Sequence, residues 1–127
     1  MAYACLQSVP LDKTNATIMI DGLTAFWTFH STQAWLKDPP ATYPVPGVDI
    51  MAGLGSIRAS VVNESMTGEY SLQKAIQDLI NSAADGHFDY KMDLLNVFAF
   101  NHDMLGSVVA VSDDGMTVPL SYYTFSE

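Results

Sequence analysis

The chain has 127 residues and 49% hydrophobic content, enough for one domain with its own core and too little for two ordinary ones. Its 5 basic and 14 acidic residues give a formal net charge of -9, which argues against a nucleic-acid partner and against an anionic membrane surface, since either needs a basic face. No run approaches the ~20 apolar residues of a membrane span, and "AYACLQSVP" after Met1 lacks the charged and apolar regions of a signal peptide.

In chain order, the lone Cys5 reads as a small buried hydrophobe in a cytosolic protein, or as an orphan of a bridge made elsewhere in a secreted one. Asp12 or Thr14 caps a helix whose Ala16, Met19, Ile20, Leu23, Trp27 and His30 share one face. "STQAWLKD" adds a turn or two before Pro39-Pro40 stops it. "PPATYPVPGVD" holds four prolines and runs extended, either as a covering loop or as the rigid wall of a pocket. Asp49 caps "IMAGLGSIRASVV", with Ile50, Met51, Leu54, Ile57 and Val61 in one stripe. Ser71 is expected to cap "LQKAIQDLINSAA", with Gly86 as the left-handed residue past its end. Two glycosylation sequons, at Asn15 and Asn63, tilt weakly towards secretion.

The last third changes period. "HFDYKM", "NVFAF" and "SVVAVSDDGMTVPLSYYTF" read as short strands, with Asp113-Asp114-Gly115 as a hairpin turn. The expected class is therefore α+β: about three amphipathic helices followed by a small antiparallel sheet. One domain spans residues 1–127, its helical part about 12–85 and its strand-rich part about 87–125.

Three histidines carry the titratable chemistry near neutrality. His30 falls at the end of the aromatic helix, where a cation meets the helix dipole. His102 sits in a loop beside Asp103. His87 stands at a helix-to-strand junction with Asp85 two residues before it and Tyr90 three after. It is either a turn residue or a base aimed into a cleft. No ligand spacing supports a metal site, no G-x-S-x-G elbow is present, and no cofactor motif occurs, so no cofactor is expected.

"ACLQSVP", "AWLKDPPATYPVPGVDIMAGLGSIR", "SAADGHFDY" and "VAVSDDGMTVPLSYY" resemble, in the same order, landmarks of the amino-terminal region of fungal secreted serine peptidases. These are tail-specific (C-terminal-processing) peptidases, in the branch akin to the chlamydial protease-like activity factor. The resemblance implies a helical front end leading to a PDZ-like part and then a serine-bearing catalytic domain. It also implies that His87, in "ADGHF", matches the histidine that serves as base for that serine, that the chain belongs to the secretory pathway, and that the partner of Cys5 lies downstream. The serine domain is not in this sequence, so proteolysis by the chain alone is not expected.

Two readings follow. In one, the chain is a cofactor-free acid/base enzyme of fungal secondary metabolism that cyclises or isomerises an apolar small molecule. His87, Asp85 and His102 act catalytically, and Trp27, Trp35, Tyr43, Tyr90 and Phe100, with Phe26, line the pocket. In the other, it is a non-catalytic interaction or pro-region module of a peptidase, pairing through open sheet edges as a homodimer or with a catalytic chain.

Overall fold

The computed structural model describes residues 1–98, 108–110, 112, 114–116 and 122–124. Among them five α-helices build the fold: α1 (Ala2–Gln7), α2 (Lys13–Trp27), α3 (Gln33–Lys37), α4 (Ile50–Val62) and α5 (Glu69–Ser82). Two starts are fixed by aspartates that satisfy otherwise orphaned N–H groups. Asp12 accepts from the Asn15 N–H at 3.0 Å, and Asp49 accepts from the Ala52 N–H at 2.9 Å. α5 begins two residues before the expected Ser71, with Gly68 as its N-cap and no side-chain capping bond. Its end is also shifted from expectation, because Ala84 and not Gly86 takes the positive φ, at 49°.

The stripes of α2, α4 and α5 meet in one core of Ile20, Leu23, Trp27, Leu54, Val61, Leu72, Ile76 and Ile80, all buried. Burying each such side chain contributes about 1.5–3 kcal/mol from apolar surface removed from water. α4 lies between α2 and α5, and Gly53 makes the α4–α5 approach possible, since a Cβ there would sit 2.4 Å from Leu79 Cδ1. At the surface the Arg58 guanidinium grips both Asp21 carboxylate oxygens, at 2.6 and 3.0 Å, linking α4 to α2. α1 rests on α5 through an edge-to-face Tyr3–Tyr70 pair at 5.5 Å. Cys5, on α1, is exposed, contrary to the buried-hydrophobe reading.

The Pro-rich stretch after α3 is drawn shut at its base. Val48 N–H donates to the Leu36 carbonyl at 2.6 Å, and Lys37 Nζ lies 2.7 Å from Asp49 Oδ2. Gly47 is required there, because a Cβ would meet the Lys37 carbonyl oxygen at 2.6 Å and Pro39 Cδ at 2.9 Å. The loop is thereby folded back beside α3.

The α+β expectation is overturned. Among the described residues the fold is helical, and the helices pack on one another and not on a sheet. "HFDYKM" forms no strand. Its alternation is real, since Phe88 and Met92 are buried and Tyr90 is half-buried on the same core, but the surface it meets is helical. The segment lies extended on the bundle, pinned by side chains and not by a ladder. It is then held by a 3-10 turn at Leu94–Asn96, where buried Gln73 of α5 donates to Asp93 Oδ1 at 2.5 Å and accepts from the Leu94 N–H at 3.0 Å. The only strand pairing among the described residues is a three-residue antiparallel ribbon, β1 (Val108–Ala110) with β2 (Tyr122–Thr124). Asp113 of the expected hairpin turn lies outside the described residues, and Gly115 has a positive φ of 67°. Among the described residues no helix is long and apolar enough to cross a membrane.

Candidate functional site

Chemistry-bearing side chains converge where the exit of α5 meets the segment after α2. Asp85 is the hub. Its Oδ1 accepts from the His87 N–H at 2.9 Å, and its carbonyl accepts from the Phe88 N–H at 3.0 Å, which together wind residues 85–88 into a tight turn. Its Oδ2 accepts from the Thr32 hydroxyl at 3.3 Å, across 53 residues of chain. The carboxylate is 19% exposed. The His87 N–H foremost, and then the Thr32 hydroxyl and the neighbouring imidazoles, hold its carboxyl below the usual range against the opposing effect of burial.

Thr32 also bonds His30, Oγ1 to Nδ1, at 2.8 Å. With the single Thr32 hydroxyl proton directed to Asp85, Nδ1 of His30 is the donor in this contact. His30 stacks edge-to-face on Phe88 at 4.9 Å between ring centres. Its backbone N–H still donates to the Trp27 carbonyl at the end of α2, at 2.9 Å, but its ring turns towards Thr32 and Phe88. Neither His30 nor Thr32 was identified from sequence as part of this site, because their partner Asp85 is remote in the chain.

Phe88, which closes that turn, is buried against Trp27, ring centres 4.6 Å apart, while His87 sits within the turn on the solvent side. The His87 ring is 99% exposed, its Nδ1 3.7 Å from Asp85 Oδ1 and beyond hydrogen-bond reach. It lines neither of the two hollows that flank the turn. One, of about 350 Å³, lies against Ile80, Asn81 and Phe88; the other, of about 420 Å³, lies against Thr32, Trp35, Pro39, Pro40 and Tyr43. Ala84, Asp85 and Gly86 form a wall common to both.

Of the side chains expected to act together, the structure joins Asp85, Trp35 and Tyr43 at the second hollow. Trp27 is core, and Tyr90 packs against the core. Phe26 is exposed on α2 and lines neither of these two hollows. Phe100 and His102 lie outside the described residues. An acid–base pair facing an enclosed apolar pocket is not what His87 and Asp85 make, so the geometry lends no support to cyclase or isomerase chemistry. Among the described residues, no three His, Cys, Asp or Glu side chains come together as metal ligands.

Comparison with known proteins found relatives of one kind. Over 85 residues the chain is 32% identical to the peptidase S41 family protein phomP1′ of Diaporthe leptostromiformis, and 31% identical to phomP1 of the same fungus. The match covers 67% of this chain and 12% of each relative, so the chain corresponds to about an eighth of the length of the curated proteins it matches. No family model and no solved structure matches it. Across two thirds of its length, the chain is thus related to peptidase S41 family proteins of a fungus.

Proposed function

We propose that this chain is a front-end module of an S41-type serine peptidase, and that it presents His87 as the general base for a serine borne on a catalytic domain. The observation that carries the reading is the contrast within one turn. The His87 backbone is held by Asp85 and by the burial of Phe88, while its imidazole stands almost wholly in solvent. Among the described residues a ring so placed has no side chain to activate, while its backbone is held in the turn, ready to meet one from outside. The "DGHF" block, and with it the likeness to the chlamydial-type branch, supports giving this role to His87 and not to His30.

Asp85 then acts as a positioning residue. It orders the turn through the His87 N–H and lies 3.7 Å from the ring. The chain alone supplies no serine elbow, so the proposal places hydrolysis in the assembled peptidase. The test is to combine the chain with the serine-bearing portion that the family resemblance implies, taken from a curated relative, and to measure fluorophosphonate labelling of the serine. Labelling that rises on addition of the chain, and fails to rise with His87→Ala, is expected. Equal labelling with the His87→Ala variant would overturn the proposal.

A further inference from the structure

The larger hollow beside Asp85 combines two recognition chemistries on one open groove. One wall is aromatic and rigid: Trp35 on α3 is 66% exposed, and Tyr43, in the folded-back Pro-rich loop, is also exposed. Large exposed rings beside prolines are an unusual use of apolar surface unless something covers them. The other wall includes Asp85, whose side chain is 19% exposed. Its two oxygens each take one hydrogen bond from the protein, and a carboxylate has about four acceptor positions, so acceptor capacity remains for a further donor. The two walls are close. Thr32, whose hydroxyl is 3.3 Å from Asp85, is the N-cap of α3, and Trp35 lies three residues on, one helical turn away on the same side.

We propose that this groove binds an arginine side chain of a polypeptide partner. A guanidinium is planar, so it stacks on an exposed ring while its fork of N–H groups reaches both oxygens of one carboxylate, and its apolar stem suits the proline-lined floor. A lysine ammonium offers neither the plane nor the fork. The chain's formal charge of -9 draws a basic partner towards it over the last Debye length. The inference does not rest on the His87 reading, since binding here is measured without any peptide hydrolysis.

The test titrates the whole chain with Nα-acetyl-arginine methylamide, followed by calorimetry and by the amide shifts of residues 32–43 and 84–86. The citrulline and norleucine counterparts, and free arginine, are titrated in parallel. Saturable arginine binding is expected, centred on those residues. It should be at least tenfold weaker for citrulline, which keeps the shape and loses the charge, and for norleucine, which keeps only the stem. The methylamide should bind at least as well as free arginine, whose α-carboxylate meets an acidic surface. Asp85→Asn and Trp35→Ala should each weaken binding at least tenfold. Because Trp35 is mostly exposed, its variant separates loss of the site from loss of the fold. Equal binding of citrulline, unchanged affinity in Trp35→Ala, or no saturable binding would each overturn the proposal.

Discussion

The Thr32 hydroxyl donates to Asp85 Oδ2 at 3.3 Å, fastening the segment between α2 and α3 to the turn that follows α5. The same carboxylate holds the His87 N–H, so one residue both ties the two segments together and orders the backbone that carries the exposed imidazole. Replacing Asp85 with Ala removes both bonds. The expected cost is about 1–3 kcal/mol in urea unfolding, in line with hydrogen bonds to a charged acceptor at a partly exposed site. Thr32→Val, which removes the hydroxyl alone, should cost less, about 1 kcal/mol. Equal stability of Asp85→Ala and the parent chain would show that the bonds hold nothing.

Acid should expose the same dependence. The Asp85 carboxyl is held below its ordinary value in the folded chain, chiefly by the His87 N–H. Its contribution is therefore fully present above the ordinary carboxylate value of about 4 and is lost as pH falls through the lower folded value. Thermal unfolding of the parent and of Asp85→Asn should differ at about pH 5 and above, and the two should converge as pH drops below about 4. Taking the difference cancels the relief of repulsion among the other carboxylates. A gap that widened as pH fell below about 4 would contradict the assignment.

The two tryptophans should behave oppositely. Trp27 is buried against Phe88, so Trp27→Ala should cost about 3–5 kcal/mol and blue-shifted emission should be lost. Trp35 stands mostly in solvent, and Trp35→Ala should change stability by no more than about 0.5 kcal/mol. Chemical denaturation of the two variants, read by circular dichroism, checks both.

Gly47→Ala tests how the groove wall is built. The added methyl would fall 2.6 Å from the Lys37 carbonyl oxygen, a backbone atom that cannot swing aside. A destabilisation of about 1–3 kcal/mol is expected, with amide shifts spreading along 37–48. A neutral substitution would mean that the loop is not drawn against α3.

Local signals were readable in the chain, and long-range ones were not. Asp12 and Asp49 cap their helices as their spacing implies, and the stripes through Ile20, Leu54 and Ile76 do face the core. Phe88, Tyr90 and Met92 do alternate along the segment and face the core. The alternation misled about secondary structure, because a period of two describes any extended chain with one buried face, whether a neighbouring strand or a helix covers it. Ser71 had capping chemistry, but α5 continues one turn further, to Gly68, where the Glu69 N–H donates to the Val9 carbonyl at 3.1 Å. Gly86 had the freedom for a left-handed turn, yet Ala84 takes that conformation. At the site, Asp85 and His87 were legible as neighbours in sequence. The link from His30 through Thr32 to Asp85 was not, because it exists only once α2 and α5 are packed.

The most direct measurement of the central claim is the reactivity of each histidine towards diethyl pyrocarbonate in the isolated chain, resolved by peptide mass mapping. His87 should be modified at about the rate of a free imidazole, and faster than His30, whose Nδ1 is bonded to Thr32 and whose ring is partly covered by Phe88. Protection of His87 in the isolated chain would contradict an outward-presented base.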